Sequence, residues 1–274
     1  MSIKLVLDSA ADLTSLSGVP FAYAPLKVST AERDFTDNDD VCVSDMVDYL
    51  YGYKGRSSTS CPNTADWLAA FGDAEEIVCI TITGGLSGSY NSACSAKEIY
   101  EDSHPGARVL VIDSLSAGPE IALQAEKAAE MIRAGESLDS IQNALRVYAT
   151  EIIFVLESLK NFANNGRISK AAAAAAGIFG IRAVGRASDQ GTLELLDKVR
   201  GEAKSLNTVM SNLARYGYKG GKIRIDHCFA DSVVEKLLTR IREVYPSADI
   251  LVRPTRALCS YYAEKGGFLV GFEC

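Results

Sequence analysis

The sequence predicts an α/β protein of two domains, an N-terminal parallel sheet flanked by helices joined to a C-terminal α+β domain. Three observations carry this. An apolar strand-like run, a polar turn and a helical segment recur in that order through the first half. The turns that end the runs are rich in Ser, Thr, Asp and Gly, as expected where parallel strands hand over to helices. The chain has 274 residues, 47% hydrophobic and 23% charged, which is enough for a well-buried core and for two domains.

The first run, Ile3-Lys4-Leu5-Val6-Leu7, ends at Asp8-Ser9-Ala10-Ala11-Asp12. Residues 31–40 follow as an acidic, turn-forming tract, then a helix over 43–51. The tract lacks the Gly and Glu of a calcium loop, so it reads as a solvated insertion and not as a cation site. In Thr59-Ser60-Cys61-Pro62-Asn63 the proline extends the residue before it and Asn63 starts a helix. The second strand, 77–83, enters Gly84-Gly85-Leu86-Ser87-Gly88-Ser89 and leaves as a helix over 90–100; the third, 109–112, ends at Asp113-Ser114-Leu115-Ser116 before a helix over 119–134 that Gly135 stops.

The second half opens on the buried-looking run Ile152-Ile153-Phe154-Val155-Leu156. A polar stretch over 158–169 leads into six alanines at 171–176, and a loop at 187–191 precedes a strand over 192–199. A strand at 222–225, a helix at 232–244 and a strand at 249–252 follow. The order is less regular here, hence the α+β reading. The boundary falls near Thr150, giving domains 1–150 and 151–274.

Composition excludes several classes. With 28 Lys and Arg against 35 Asp and Glu the formal charge is −7, and no basic stripe interleaved with aromatics offsets it, so nucleic acid is not a partner. No segment is long and apolar enough for a membrane span, and the N-terminus enters a strand with no basic leader; the expectation is a cytoplasmic protein. The seven cysteines lack metal-ligand spacing and read as reduced thiols with no metal site. Phosphate-loop and dinucleotide fingerprints are absent, so no cofactor is implied.

What remains is the pair of hydroxyl-rich turns. In open parallel sheets ligands bind beyond the carboxyl ends of the strands, where Asp8, Ser9, Asp12, Ser87, Ser89, Asp113, Ser114 and Ser116 all fall. The turn at 84–89 gathers unpaired N–H groups, the positive end of a helix dipole and the hydroxyls of Ser87 and Ser89, which suits an anion; plain helix capping accounts for it equally well. The turn at 59–63 taken alone reads as a cap. Gly85-Leu86-Ser87-Gly88-Ser89 nearly matches a nucleophile elbow but fails at Ser89, and the only two histidines, His104 and His227, are poorly placed to serve as a base. Arg167, after Gly166 in a polar loop, fits an anion contact or a surface ion pair, and the alanine run fits either an ordinary helix or a wall beside an apolar tail.

Several segments together resemble the DegV family of bacterial fatty-acid-binding proteins that serve a fatty acid kinase. They are Asp8-Ser9-Ala10-Ala11-Asp12-Leu13, Thr59-Ser60-Cys61-Pro62, Gly85-Leu86-Ser87-Gly88-Ser89-Tyr90-Asn91-Ser92-Ala93, Val111-Ile112-Asp113-Ser114, and residues 159–169 with Gly166-Arg167-Ile168-Ser169 at their core. The resemblance implies a DegV-like fold in which a long-chain fatty acid of the palmitate, stearate or oleate class is buried, its carboxylate held by Thr59 and Ser87, and presented to a partner kinase that performs the chemistry. Domain 1–150 would carry the carboxylate-binding turns and 151–274 would cover the acyl chain. The expected ligand-binding set is Thr59, Ser60, Ser87, Gly88, Ser89, Asn91 and Arg167, with no catalytic residue. The chain departs from many members at Cys61, at Asn165-Gly166 where they have two glycines, at Arg182-Ala183, and in the C-terminal segment Leu258-Cys259-Ser260-Tyr261-Tyr262, which lacks their His-x-Gly-Pro-Gly. Two other readings stand beside this one: an acyl hydrolase or transferase using Ser87, and a lipid-responsive scaffold.

Overall fold

The computed structural model describes residues 3–169 and 181–274, so the alanine run at 171–176 lies outside the described residues. In chain order the first half holds β1 (Lys4–Asp8), β2 (Phe21–Ala24), β3 (Lys27–Ser29), β4 (Asp34–Thr36), α1 (Val43–Gly52), β5 (Ser58–Ser60), α2 (Thr64–Phe71), β6 (Glu76–Thr81), α3 (Ser89–Ser103), β7 (Arg108–Asp113), α4 (Pro119–Arg133) and α5 (Leu138–Val147). The second half holds β8 (Thr150–Leu156), α6 (Lys160–Asn164), β9 (Ile181–Ala187), β10 (Leu193–Arg200), α7 (Glu202–Arg215), β11 (Lys222–His227), α8 (Asp231–Val244), β12 (Asp249–Pro254), α9 (Ala257–Ala263) and β13 (Phe268–Glu273).

The first sheet has the order β2-β1-β6-β7 and every neighbouring pair is parallel. Its central strands are apolar on both faces because helices cover both. On one face the alanines of α4 (Ala122, Ala125, Ala128, Ala129) let that helix lie close over Leu5, Leu7, Val78 and Ile80; on the other, Trp67, Phe71 and Tyr100 of α2 and α3 pack over Val6, Ile77 and Cys79. The strands at 3–7, 77–83 and 109–112 and the helices after the second and third are as the sequence predicts, within a few residues. The edge strand β2 was not anticipated.

The six strands of the second half form a mixed sheet, β10-β9-β8-β13-β11-β12, antiparallel except between β11 and β12. Its core joins Ile153, Val155, Phe268, Val270 and Phe272 to the inner faces of α7 and α8.

A third, small antiparallel sheet, β4-β3-β5, overturns two expectations. Residues 59–60 are not a free turn: as part of β5, Thr59 pairs with Val28 and Ser60 with Lys27 of β3, and the cap of α2 is Asn63, in a reciprocal box with Asp66. The acidic tract 31–40 is not wholly solvated either. It contains β4, and Asp37 is fully buried, accepting the N–H groups of Ala257 at 3.1 Å and Leu258 at 3.0 Å while the Arg256 guanidinium stands 3.4 Å away. Asp12 accepts the Arg256 N–H at 2.7 Å. Two acids of the first half thus satisfy the donors at the start of α9, where the chain itself offers no capping side chain. Burial holds both carboxyls above the ordinary range, though these donors act to lower them.

Candidate functional site

At the carboxyl ends of the parallel strands, side chains fasten the turns to one another. Asp8 Oδ1 accepts the Ala10 N–H at 3.2 Å; Oδ2 accepts the Ile82 N–H at 2.9 Å and the Ser89 O–H at 2.6 Å. Its complete burial pushes the carboxyl up to about 7 in spite of these donors. Asp113 accepts from the N–H groups of Gly84 and Leu115, and the Thr83 N–H donates to the Ser116 carbonyl at 2.9 Å, which laces the turn after β6 to the turn after β7.

Against this rim lies a narrow, predominantly apolar cavity of about 90 Å³. Leu26 and Ile82 come from the first half, Ile152, Phe154, Leu156, Phe162, Leu193 and Leu269 from the second, and Leu258 from α9. The loop between β9 and β10 closes over the turn at 84–87. A Cβ on Gly85 would stand 3.0 Å from the carbonyl oxygens of Gln190 and Gly191; one on Gly191, whose φ is +69°, would stand 2.0 Å from Thr83 Oγ1. Only glycine permits two backbones to approach this closely.

Several of the polar lining groups form one hydrogen-bonded cluster. Thr59 Oγ1 and Tyr262 Oη are 2.8 Å apart, and the Thr59 N–H donates to Asn165 Oδ1 at 3.2 Å. The Asn165 carbonyl accepts from Arg167 Nη1 at 2.8 Å, and Arg167 Nε donates to the Leu86 carbonyl at 3.1 Å, one residue from Ser87. Ser87 Oγ accepts the Ser89 N–H at 3.2 Å, so this residue supports the start of α3 while its own proton has no acceptor among the described residues. Burial raises the Tyr262 phenol above its ordinary range, with the Thr59 contact and the Arg167 charge pulling the other way. It is a neutral hydroxyl at any physiological pH.

Of the residues expected to hold a ligand, Thr59, Ser60, Ser87 and Arg167 line the cavity, Ser60 at its exposed margin. Gly88, Ser89 and Asn91 do not. The Ser89 hydroxyl is committed to Asp8 and its N–H to Ser87, Gly88 is the exposed residue preceding α3, and Asn91 lies exposed on that helix. Of the other hydroxyls at the strand ends, Thr83 and Ser116 line the cavity; Thr83 accepts the Gly85 N–H, and Ser116 donates to Glu120, which also accepts from Thr150 at 2.8 Å. Residues not singled out from the sequence are Asn165, Phe162 and Tyr262. Tyr262 and Asn165 were visible only as departures from a family pattern, and nothing in the local sequence says that they meet.

The lining contains no His, Asp, Glu or Lys among the described residues. His104 stacks on Tyr100 with ring centroids 4.1 Å apart, and His227 Nδ1 accepts the Ala230 N–H at 3.2 Å. Ser87 therefore has no imidazole beside it in the described structure.

The chain has relatives along its whole length. The DegV family model matches residues 2–273. A DegV domain-containing protein of Streptococcus pneumoniae is 40% identical, with 100% of this chain and 99% of the relative covered. Among solved structures, a DegV family protein from Eubacterium eligens loaded with heptadecanoic acid superposes with a TM-score of 0.97 at 42% identity, covering 99% of each chain. The Streptococcus pneumoniae fatty acid kinase (Fak) B3 protein loaded with linoleic acid gives a TM-score of 0.97 at 40% identity, covering 100% of this chain and 99% of that one. Sequence and backbone agree from end to end, and the chain belongs to the DegV family.

Proposed function

We propose that this chain binds a long-chain fatty acid, with Thr59 and Ser87 as the donors to its carboxylate, and presents the head group to a partner fatty acid kinase. The observation that carries the reading is an apolar cavity whose polar groups cluster around two uncharged hydroxyls and an arginine. Each methylene moved from water into such a cavity contributes about 0.8 kcal/mol, so a chain of the palmitate, stearate or oleate class is held chiefly by its tail. The neutral donors and Arg167 select and orient the head group. Residues 1–150 supply β5 and the turn at 84–89 and residues 151–274 cover much of the acyl chain, with α9 reaching back to bring Tyr262 to Thr59. The relatives loaded with heptadecanoic and linoleic acids support the ligand class, and the Fak B3 relative supports the kinase partner.

Among the described residues the lining offers no base to activate Ser87, which favours a carrier over a hydrolase or transferase. The protein acts before the phosphate is transferred, and the kinase would convert the presented carboxylate to an acyl phosphate. Mass spectrometry of an organic extract of the purified protein tests the ligand. A co-purifying acyl chain, and a melting temperature that rises on adding oleate and rises less for Ser87→Ala, is the expected result; no extractable chain and no response to oleate or palmitate would sink the proposal. Release of a chromophore from an ester, abolished by Ser87→Ala, would favour the hydrolase instead.

A further inference from the structure

Two segments about 100 residues apart in the chain touch each other beside Thr59 at the edge of the cavity. Asn165 Oδ1 accepts the Thr59 N–H, so its Nδ2 must serve as donor, and it reaches the Asn161 carbonyl and Tyr261 Oη at 2.9 Å each. Tyr261 Oη, having accepted that bond, has its own proton for Ser57 Oγ at 2.8 Å. The neighbouring Tyr262 packs at a tilt against Phe162, ring centroids 4.4 Å apart, and meets Thr59 Oγ1. The frame around Thr59 is thus made by residues more than 100 positions away in the chain.

Hydrogen-bond polarity decides what this frame does. A carboxylate only accepts, so Thr59 must turn its single proton toward it, and Tyr262 must then be the donor to Thr59 Oγ1. Two bonds aligned head to tail and ending on an anion polarise one another. An uncharged alcohol head group can instead donate into Thr59 Oγ1 itself, and it gains nothing from the phenol.

Given the fatty-acid reading above, on which this rests, we infer that Tyr262, acting through the Thr59 hydroxyl, makes the head-group site selective for a carboxylate over an uncharged acyl head group such as an alcohol. It is a positioning residue, since the ligand need not touch it.

The test is to measure dissociation constants for palmitic acid and hexadecanol on lipid-stripped protein, in the wild type, Tyr262→Phe, Thr59→Val and the double variant. Phenylalanine keeps the ring on Phe162, so the fold is retained. Tyr262→Phe should weaken the acid about tenfold and the alcohol less than about twofold. In the Thr59→Val background it should cost nothing more. Equal losses for both ligands, an unchanged acid affinity, or the full loss persisting without the Thr59 hydroxyl would each overturn the inference. Wild-type protein that takes up neither ligand would overturn the fatty-acid reading itself, and the inference with it.

Discussion

The carboxylate of Asp8 and the hydroxyl of Ser89, 81 residues apart in the chain, meet at 2.6 Å in a fully buried contact. The same oxygen accepts the Ile82 N–H, so one acid at the end of β1 holds both sides of the turn that carries Ser87. Asp8→Asn would present an amide donor to groups that are themselves donors. The expected cost is about 2–3 kcal/mol, with Ser89→Ala costing about 1 kcal/mol, read from urea melts. Equal stability of Asp8→Asn and wild type would show that the contact is not part of the framework.

Stability should fall as pH rises through neutrality. Burial raises Asp8 and Glu120 to about 7 and Asp226 to about 6, from ordinary values of 3.8, 4.5 and 3.8, the Arg253 partner of Asp226 notwithstanding. The native protein therefore holds protons that the unfolded chain releases above pH 4–5. The stabilisation these groups give is complete below the unfolded values and is lost as pH climbs through the folded ones. Thermal melts at constant ionic strength should give a higher midpoint at pH 5.5 than at pH 8, and Glu120→Gln should flatten the slope. A slope unchanged in that variant would remove Glu120 from the account.

Gly191→Ala should separate the β9–β10 loop from the turn it covers. The added methyl meets Thr83 Oγ1 at 2.0 Å, and the positive φ adds backbone strain. A loss of about 2 kcal/mol in stability is expected, with a larger loss of oleate binding than a distant destabilising substitution of equal size would cause. Calorimetric titration against such a control distinguishes the two.

Asp37→Asn should loosen α9. Two first-turn N–H groups lose a charged acceptor and Arg256 loses a buried partner, a change of about 3 kcal/mol. Amide exchange should quicken first at Ala257 and Leu258. Exchange that quickens uniformly over the second half would point to general destabilisation instead.

The parallel sheet could be read from the sequence because its strands are continuous apolar runs between polar turns, and the pairing of Asn63 with a helix start is a local rule. The three-residue strands β3, β4 and β5 are too short for periodicity to register, so Thr59 looked like part of a turn. Ser87 and Ser89 are two residues apart in similar company, yet one lines the cavity and the other is consumed by Asp8; only the distant acid separates them. Asp37 looked like one more residue of a solvated acidic tract because its partners lie at the far end of the chain. The role of Tyr262 is hidden for the same reason, since it depends on Thr59, more than 200 positions away.

The capping of α9 by acids from the first half also sets the order in which the site can be made. Asp12 and Asp37 are synthesised 244 and 220 positions before the backbone groups they bind. On the ribosome the parallel sheet and both hydroxyl turns emerge early and can assemble, as N-terminal units generally do. The helix that brings Tyr262 to Thr59 comes much later in chain order, between β12 and β13. Until then the first-half residues that line the cavity, Leu26 and Ile82, lack the wall that Leu258 of α9 supplies, and a nascent chain stalled before residue 257 leaves the cavity open on that side. Closure of the cavity and completion of the head-group frame therefore both wait on α9.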